Sequence, residues 1–181
     1  MGGARGFTLV EVLVAMFVLA VGAVGAAATH STVARLREQA ALESEAVQLA
    51  ASLAARMGAN PVQMALPDAA NPYLQLDYDA DDGDPDAPPL QCFGTADCSA
   101  ANLAAFDLYE TARLVRDAFP GGRITVCRDA AVWNAAEQMA DWHCAGSASA
   151  PVVIKLGWRL RAGPGQPTTD ALAFVTMVVP G

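Results

Sequence analysis

An uncharged apolar run from Val12 to Thr29, entered through one carboxylate at Glu11, constrains this chain more than any other feature. As a helix rising about 1.5 Å per residue, the run is about long enough to cross a bilayer. A carboxylate inside hydrocarbon costs roughly 2.5 kcal/mol or more, so Glu11 needs a partner or a function. A cleavable secretory signal has a basic start, an apolar stretch of about 7–15 residues and a small-residue site behind it. Here the apolar run is longer and the glycine, Gly6, lies in front. A plain single-pass anchor has no use for Glu11. Arg5 is the only basic side chain before the run, which keeps the leader cytoplasmic and sends the rest outward.

The stretch Gly6-Phe7-Thr8-Leu9-Val10-Glu11-Val12-Leu13-Val14-Ala15 resembles the prepilin N-terminus of type IV pilins and type II secretion pseudopilins. The resemblance implies cleavage by a prepilin peptidase after Gly6 and methylation of Phe7, leaving an N-methylphenylalanine. Glu11 then becomes the fifth mature residue, and its carboxylate pairs with the N-terminal amine of a neighbouring subunit in the filament core. It also implies a single-pass protein of the inner membrane with a periplasmic C-terminal head, assembled into an extracellular pilus. The implied partners are major and minor pilins, the peptidase and the inner-membrane assembly platform.

The length of 181 residues allows one membrane helix and one globular domain. The expected divisions are a leader at 1–6, a transmembrane and polymerisation half of the helix at 7–29, an amphipathic half at 30–58, and a head at 59–181. The net charge of −8 is unevenly placed: no Lys or Arg lies between Arg56 and Arg113, while ten acidic residues run from Asp68 to Glu110. That balance speaks against nucleic-acid binding and leaves an acidic patch for a cation or a basic partner.

Cys92, Cys98, Cys127 and Cys144 all lie in the part expected to be exported, where an even count reads as disulfides. Of the three pairings, Cys92 with Cys98 and Cys127 with Cys144 are favoured because both close small local loops. Zinc is the competing reading, with His143 beside Cys144, but the chain has no C-x-x-C pair.

From Phe7 to about Met57 there is no proline and helix formers dominate. Leu42, Ala46, Leu49, Leu53 and Met57 form an apolar stripe in its second half, with Arg37, Glu38, Glu45 and Arg56 off it. Gly22 and Gly25 weaken the first half and read as close packing in the membrane or, by the pilin resemblance, as a place for local melting on assembly. Gly58 and Pro61 end the helix. An irregular stretch follows to about Gly94. Within it Asp77, Asp79, Asp81 and Asp84 alternate near Gly83 as in calcium loops, yet the spacing is off by one from an EF-hand loop and no Glu closes it, which favours a solvated acidic turn.

Ser99 caps a second helix over about Ala100 to Phe119, with Leu108, Ala112, Val115 and Phe119 on its buried face, and Pro120-Gly121-Gly122 stops it. Three strands are predicted: Arg123 to Cys127, Val152 to Arg161, and Ala171 to Val179. In the second, Ile154, Leu156, Trp158 and Leu160 alternate with Lys155, Arg159 and Arg161, so an antiparallel sheet with one buried face is expected. The fold class is therefore α+β, a long N-terminal helix packed on an antiparallel sheet.

The stretch from Cys98 to Tyr109, followed by Pro120-Gly121-Gly122 and a strand, resembles PilV-type minor pilins. The function implied is structural and non-catalytic: a minor pilin that enters or primes a type IV pilus. A minor pseudopilin of type II secretion shares the leader. A membrane-anchored adhesin or calcium-binding module would use the acidic loop instead. His30 and His143 have no evident catalytic pairing, and Asp107, Tyr109 and Trp142 read as packing and capping residues.

Overall fold

The computed structural model of the chain describes residues 8–136, 139–160 and 172–180. The proline-free run folds as one helix, α1 (Leu9–Ala59). Thr8 starts it, because its Oγ1 accepts the Glu11 amide at 3.3 Å and satisfies one of the donors that a helix start leaves free. Beyond Ala59 the chain turns through Asn60 into a single turn, α2 (Pro61–Met64), whose first residue has no amide to waste.

The chain divides into two compact units, residues 1–41 and 42–181. The first holds the apolar front of α1. A Cβ added at Gly22 or Gly25 meets nothing within 4 Å among the described residues, so neither glycine serves a close contact there. The second unit begins at Leu42, where the predicted stripe begins.

That stripe is the inner face of the second unit: Ala46, Leu53 and Met57 are buried, Leu42 and Leu49 are partly so, and Ala50 and Ala54 widen it. It packs with α3 (Ala100–Ala118) and a sheet. Ser99 Oγ accepts the Asn102 amide at 3.2 Å, as an N-cap should. Ala112, Val115 and Phe119 are buried and Leu108 is half-buried, as the periodicity predicts. The helix also buries Phe106, which meets Phe93 edge to face at 4.7 Å beside the Cys92–Cys98 loop. At its end Gly121 takes φ 54°, and a Cβ at Gly122 would stand 2.7 Å from the Val115 carbonyl. Only glycine lets the chain turn back this tightly.

The strands β1 (Asp77–Asp79), β2 (Arg123–Arg128), β5 (Val152–Arg159) and β6 (Leu172–Val178) form one antiparallel sheet in the order β1-β2-β5-β6. Between β2 and β5 the chain makes a small separate ladder of β3 (Trp133–Asn134) with β4 (Met139–Ala140). Ile124, Val126, Ile154, Leu156 and Trp158 turn inward to α1 and α3, and Phe119 lies 5.6 Å from Trp158. The architecture is α+β, a long N-terminal helix with a four-stranded antiparallel sheet, consistent with a pilin fold.

Two expectations need correction. Leu160 lies past the end of β5 and is 42 % exposed, so it does not share the buried face. The sheet is also not open on its second side at β5: Lys155 is 1 % exposed and every residue from Val152 to Trp158 is buried. The reason is that residues 141–146 lie over that side. A Cβ at Gly157 would come within 2.6 Å of the Trp142 ring, and one at Gly146 would come within 2.1 Å of the Arg128 carbonyl. Arg161 and Ala171, called for the strands, lie outside the described residues.

Candidate functional site

Nearly every large apolar side chain of α1 from Leu9 to Val24 is exposed. Water does not stabilise such a surface, so a membrane or other subunits must cover it. By length and composition α1 is able to cross a membrane. Glu11 sits in the first turn of this helix, exposed, with Val12, Ala15, Met16 and Leu19 around it. Its position near the free amides of a helix start suits a carboxylate, since the macrodipole is positive there. Gly6 and Phe7 lie outside the described residues.

The structure joins Cys92 to Cys98 and Cys127 to Cys144, with Cα separations of 5.9 and 6.1 Å. Among the described residues no group of three or more His, Cys, Asp and Glu side chains is placed to hold a metal. The acidic loop is instead distributed over arginines. Asp77 faces Arg123 at 3.4 Å, Asp81 pairs with Arg159, and Asp84 pairs with Arg116. Asp79 Oδ1 accepts the Asp81 amide at 3.0 Å and caps a short 3-10 turn. His30 and His143 are exposed.

Among the described residues of the head, two polar clusters reach into the interior. In the first, Asp107 of α3 accepts from Arg56 Nη1 of α1 at 2.9 Å and from the Tyr73 hydroxyl at 2.9 Å, while Arg56 also reaches Glu110 at 2.9 Å. Asn60 Nδ2 donates to the Tyr73 hydroxyl at 3.3 Å and to the Ala100 carbonyl at 2.8 Å. Burial raises the Tyr73 phenol above its ordinary value; the Asn60 amide opposes this, and the Asp107 carboxylate adds to it. The cluster thus ties the end of α1 to α3 and to the turn at Pro72–Gln75. Asp107→Asn is expected to lower head stability by about 1–3 kcal/mol, because it withdraws a charged acceptor from the buried Tyr73 hydroxyl and the half-buried Arg56 guanidinium. Chemical denaturation of the two proteins checks this.

In the second cluster, Lys155 Nζ lies 2.5 Å from Asp129 Oδ2 and donates to the carbonyls of Asp141 at 2.6 Å and His143 at 3.1 Å. Both side chains are sealed from solvent. Burial pushes the Asp129 carboxyl up, but the Lys155 hydrogen bond, the Ala131 amide and the Lys155 charge outweigh it and hold the group below the usual range. A depressed carboxylate stabilises the fold above its unfolded value, about pH 4, and that contribution is lost as pH falls through the lower folded value. Acid titration of stability is therefore expected to be shallower below about pH 4 for Asp129→Asn than for the parent chain. Parallel denaturant melts across that range measure it.

Sequence reasoning missed both clusters. Arg56, Tyr73 and Asn60 carried no local signal, and Lys155 was placed on the solvent side of its strand. Trp142, read as a packing residue, packs on Gly157 with the Arg123 guanidinium 5.0 Å from its ring centroid, whereas Asp107, read the same way, is the charged acceptor of the first cluster.

Residues 1–27 match the family model of the prokaryotic N-terminal methylation motif. No curated protein and no solved structure matches the chain. The motif supports a place in the type IV pilin-like prepilin family, through the leader and the front of α1.

Proposed function

We propose that this chain, which carries the methylation motif of the type IV pilin-like prepilins, is a minor pilin that enters or primes a type IV pilus. Its role is structural: α1 polymerises through its apolar front and the head is presented outward. The observation that supports this is Glu11, exposed in the first turn of α1, where the front of the helix is otherwise apolar, directly behind the Gly6–Phe7 junction. Such a group costs free energy in a membrane and is neutralised when a neighbour's N-terminal amine meets it. In this reading the prepilin peptidase cuts after Gly6 and methylates Phe7. The head lies in the periplasm before assembly, where both disulfides form.

Gly6→Val is expected to leave the precursor uncut, because the residue before the scissile bond must be small to enter the peptidase site. Mass spectrometry of the membrane fraction reads the N-terminus directly, and a parent chain that matured anywhere but at Phe7 would overturn the assignment. Affinity isolation of the intact protein from its native membrane distinguishes the pilus from the secretion alternative: recovery of pilus components supports this reading, and recovery of type II secretion components makes it a pseudopilin.

A further inference from the structure

Lys155 is the only lysine of the chain, and it is buried. It lies on the side of β5 turned away from α1, under residues 141–146. Several contacts hold those residues down: the Lys155 ammonium on the carbonyls of Asp141 and His143, the Asp141 amide on the Val132 carbonyl, the Trp142 ring between Gly157 and the Arg123 guanidinium, and the Cys127–Cys144 bridge to the neighbouring strand. The noncovalent ties are weak as a closing force. Desolvating an ammonium and a carboxylate offsets most of what their attraction returns, so the Lys155–Asp129 pair drives closure little by itself. Trp142 is only half-buried. The covalent tie is the one that a reductant can release.

The bridge is also placed to be opened. Cys144 is exposed, whereas Cys127, Cys92 and Cys98 are each half-buried. A recess of about 220 Å³ beside the bridge is lined by Cys127, Cys144, Arg128 and Gly146, with Asp68 and Gln75 on its other wall. The core formed by α1, α3 and the inner face of the sheet uses none of residues 141–146.

We propose that Cys127–Cys144 is a redox latch: closed, it holds residues 141–146 over the outer face of the sheet and seals in Lys155; reduced by a dithiol, it lets them lift while the helix-facing core stays folded. In the opening step a thiolate of the dithiol attacks Cys144 Sγ, the S–S bond breaks, and Cys127 leaves as a thiolate that takes a proton from water. The second thiol of the reductant then attacks the mixed disulfide and frees Cys144, which is protonated likewise. Two electrons pass to the protein and the reductant leaves as a disulfide. The lifted state presents a lysine amine and a carboxylate that the closed state conceals. A subunit in that state is marked as unfinished until an oxidant closes the bridge. The inference does not depend on filament assembly.

Because the chain has one lysine, an amine-acylating ester reads the latch without ambiguity. Full-length protein in detergent micelles is treated with the N-hydroxysuccinimide ester of acetate, with and without prior dithiothreitol, and acetylation of Lys155 is followed by peptide mass spectrometry. Reduction is expected to speed acetylation by about a hundredfold, the factor corresponding to bridging a loop of this length. The amides of β5 around Trp158 should keep their protection from hydrogen exchange. Cys127→Ser/Cys144→Ser should react like the reduced protein without any reductant, and Cys92→Ser/Cys98→Ser like the oxidised parent. If Lys155 stays unreactive after the bridge is shown to be reduced, residues 141–146 are held by other means and the latch is overturned. If Lys155 reacts only as the amides around Trp158 lose that protection, in the reduced parent or in the serine variant, the bridge is a staple of the whole fold and the proposal fails equally.

Discussion

Glu11→Leu protein is expected to be exported, inserted and cleaved at Gly6–Phe7 like the parent chain, and to join or prime essentially no pili. The two halves of this result have different causes. Removing a carboxylate from hydrocarbon relieves roughly 2.5–3.5 kcal/mol, so insertion becomes easier. The Thr8 cap on the Glu11 amide uses only backbone at position 11 and survives the change, so the helix start is retained. What disappears is a charge on an apolar surface that has no other group for a neighbour's amine to meet. Counts of surface filaments and co-purification of other minor pilins, set against mass-spectrometric proof of normal maturation, measure the separation. Normal piliation by this variant would remove the assembly role of Glu11 and strengthen the membrane-anchored binding module.

Trp158→Ala is expected to cost the head about 3–5 kcal/mol, the usual range for deleting a fully buried large aromatic. Trp158 is 0 % exposed near the end of β5, against Phe119 and in one core with the α1 stripe. Against a total of about 5–15 kcal/mol for a domain, the variant head would be marginal, with a fall of about 10 °C or more in Tm. Trp158→Phe separates volume from polarity. The indole Nε1 finds no hydrogen-bond partner among the described residues, so a phenyl ring should lose only part of that amount. Equal losses for alanine and phenylalanine in denaturant melts would show that the N–H matters after all.

What could be read from the chain was local. The absence of proline from Phe7 to Met57 and the apolar spacing from Leu42 to Met57 specify α1 and its inner face, because both act within a few residues. Ser99 and Pro120-Gly121-Gly122 bracket α3 for the same reason. What escaped was set by distant segments. Alternation along β5 placed Lys155 toward solvent, and it does point away from the core; residues 141–146, brought over it by the chain's return from β2, turn that side into an interior. The aspartates at 77, 81 and 84 look like a cation loop only until Arg123, Arg159 and Arg116 arrive from later elements. The Asp107 cluster draws on Arg56, Asn60 and Tyr73, which are far apart in the chain and have no shared pattern. At the N-terminus the reverse holds: the leader, the apolar run and Glu11 are contiguous, so the candidate site was legible where the head's polar clusters were not.

Ala46, Ala50 and Ala54 stack along the face of α1 that meets the head, all buried, at intervals of one helical turn. Each contributes little apolar area, yet together they act as a spacer gauge that sets how near the helix backbone can lie to the rest of the unit. A larger residue at any of them would have to lever the helix away, at about 1–3 kcal/mol for a packed core. These positions should therefore be indifferent to hydrophobicity and strict about volume: serine tolerated, leucine not. Libraries of substitutions along this helix, ranked by side-chain size and not by polarity, would expose that constraint.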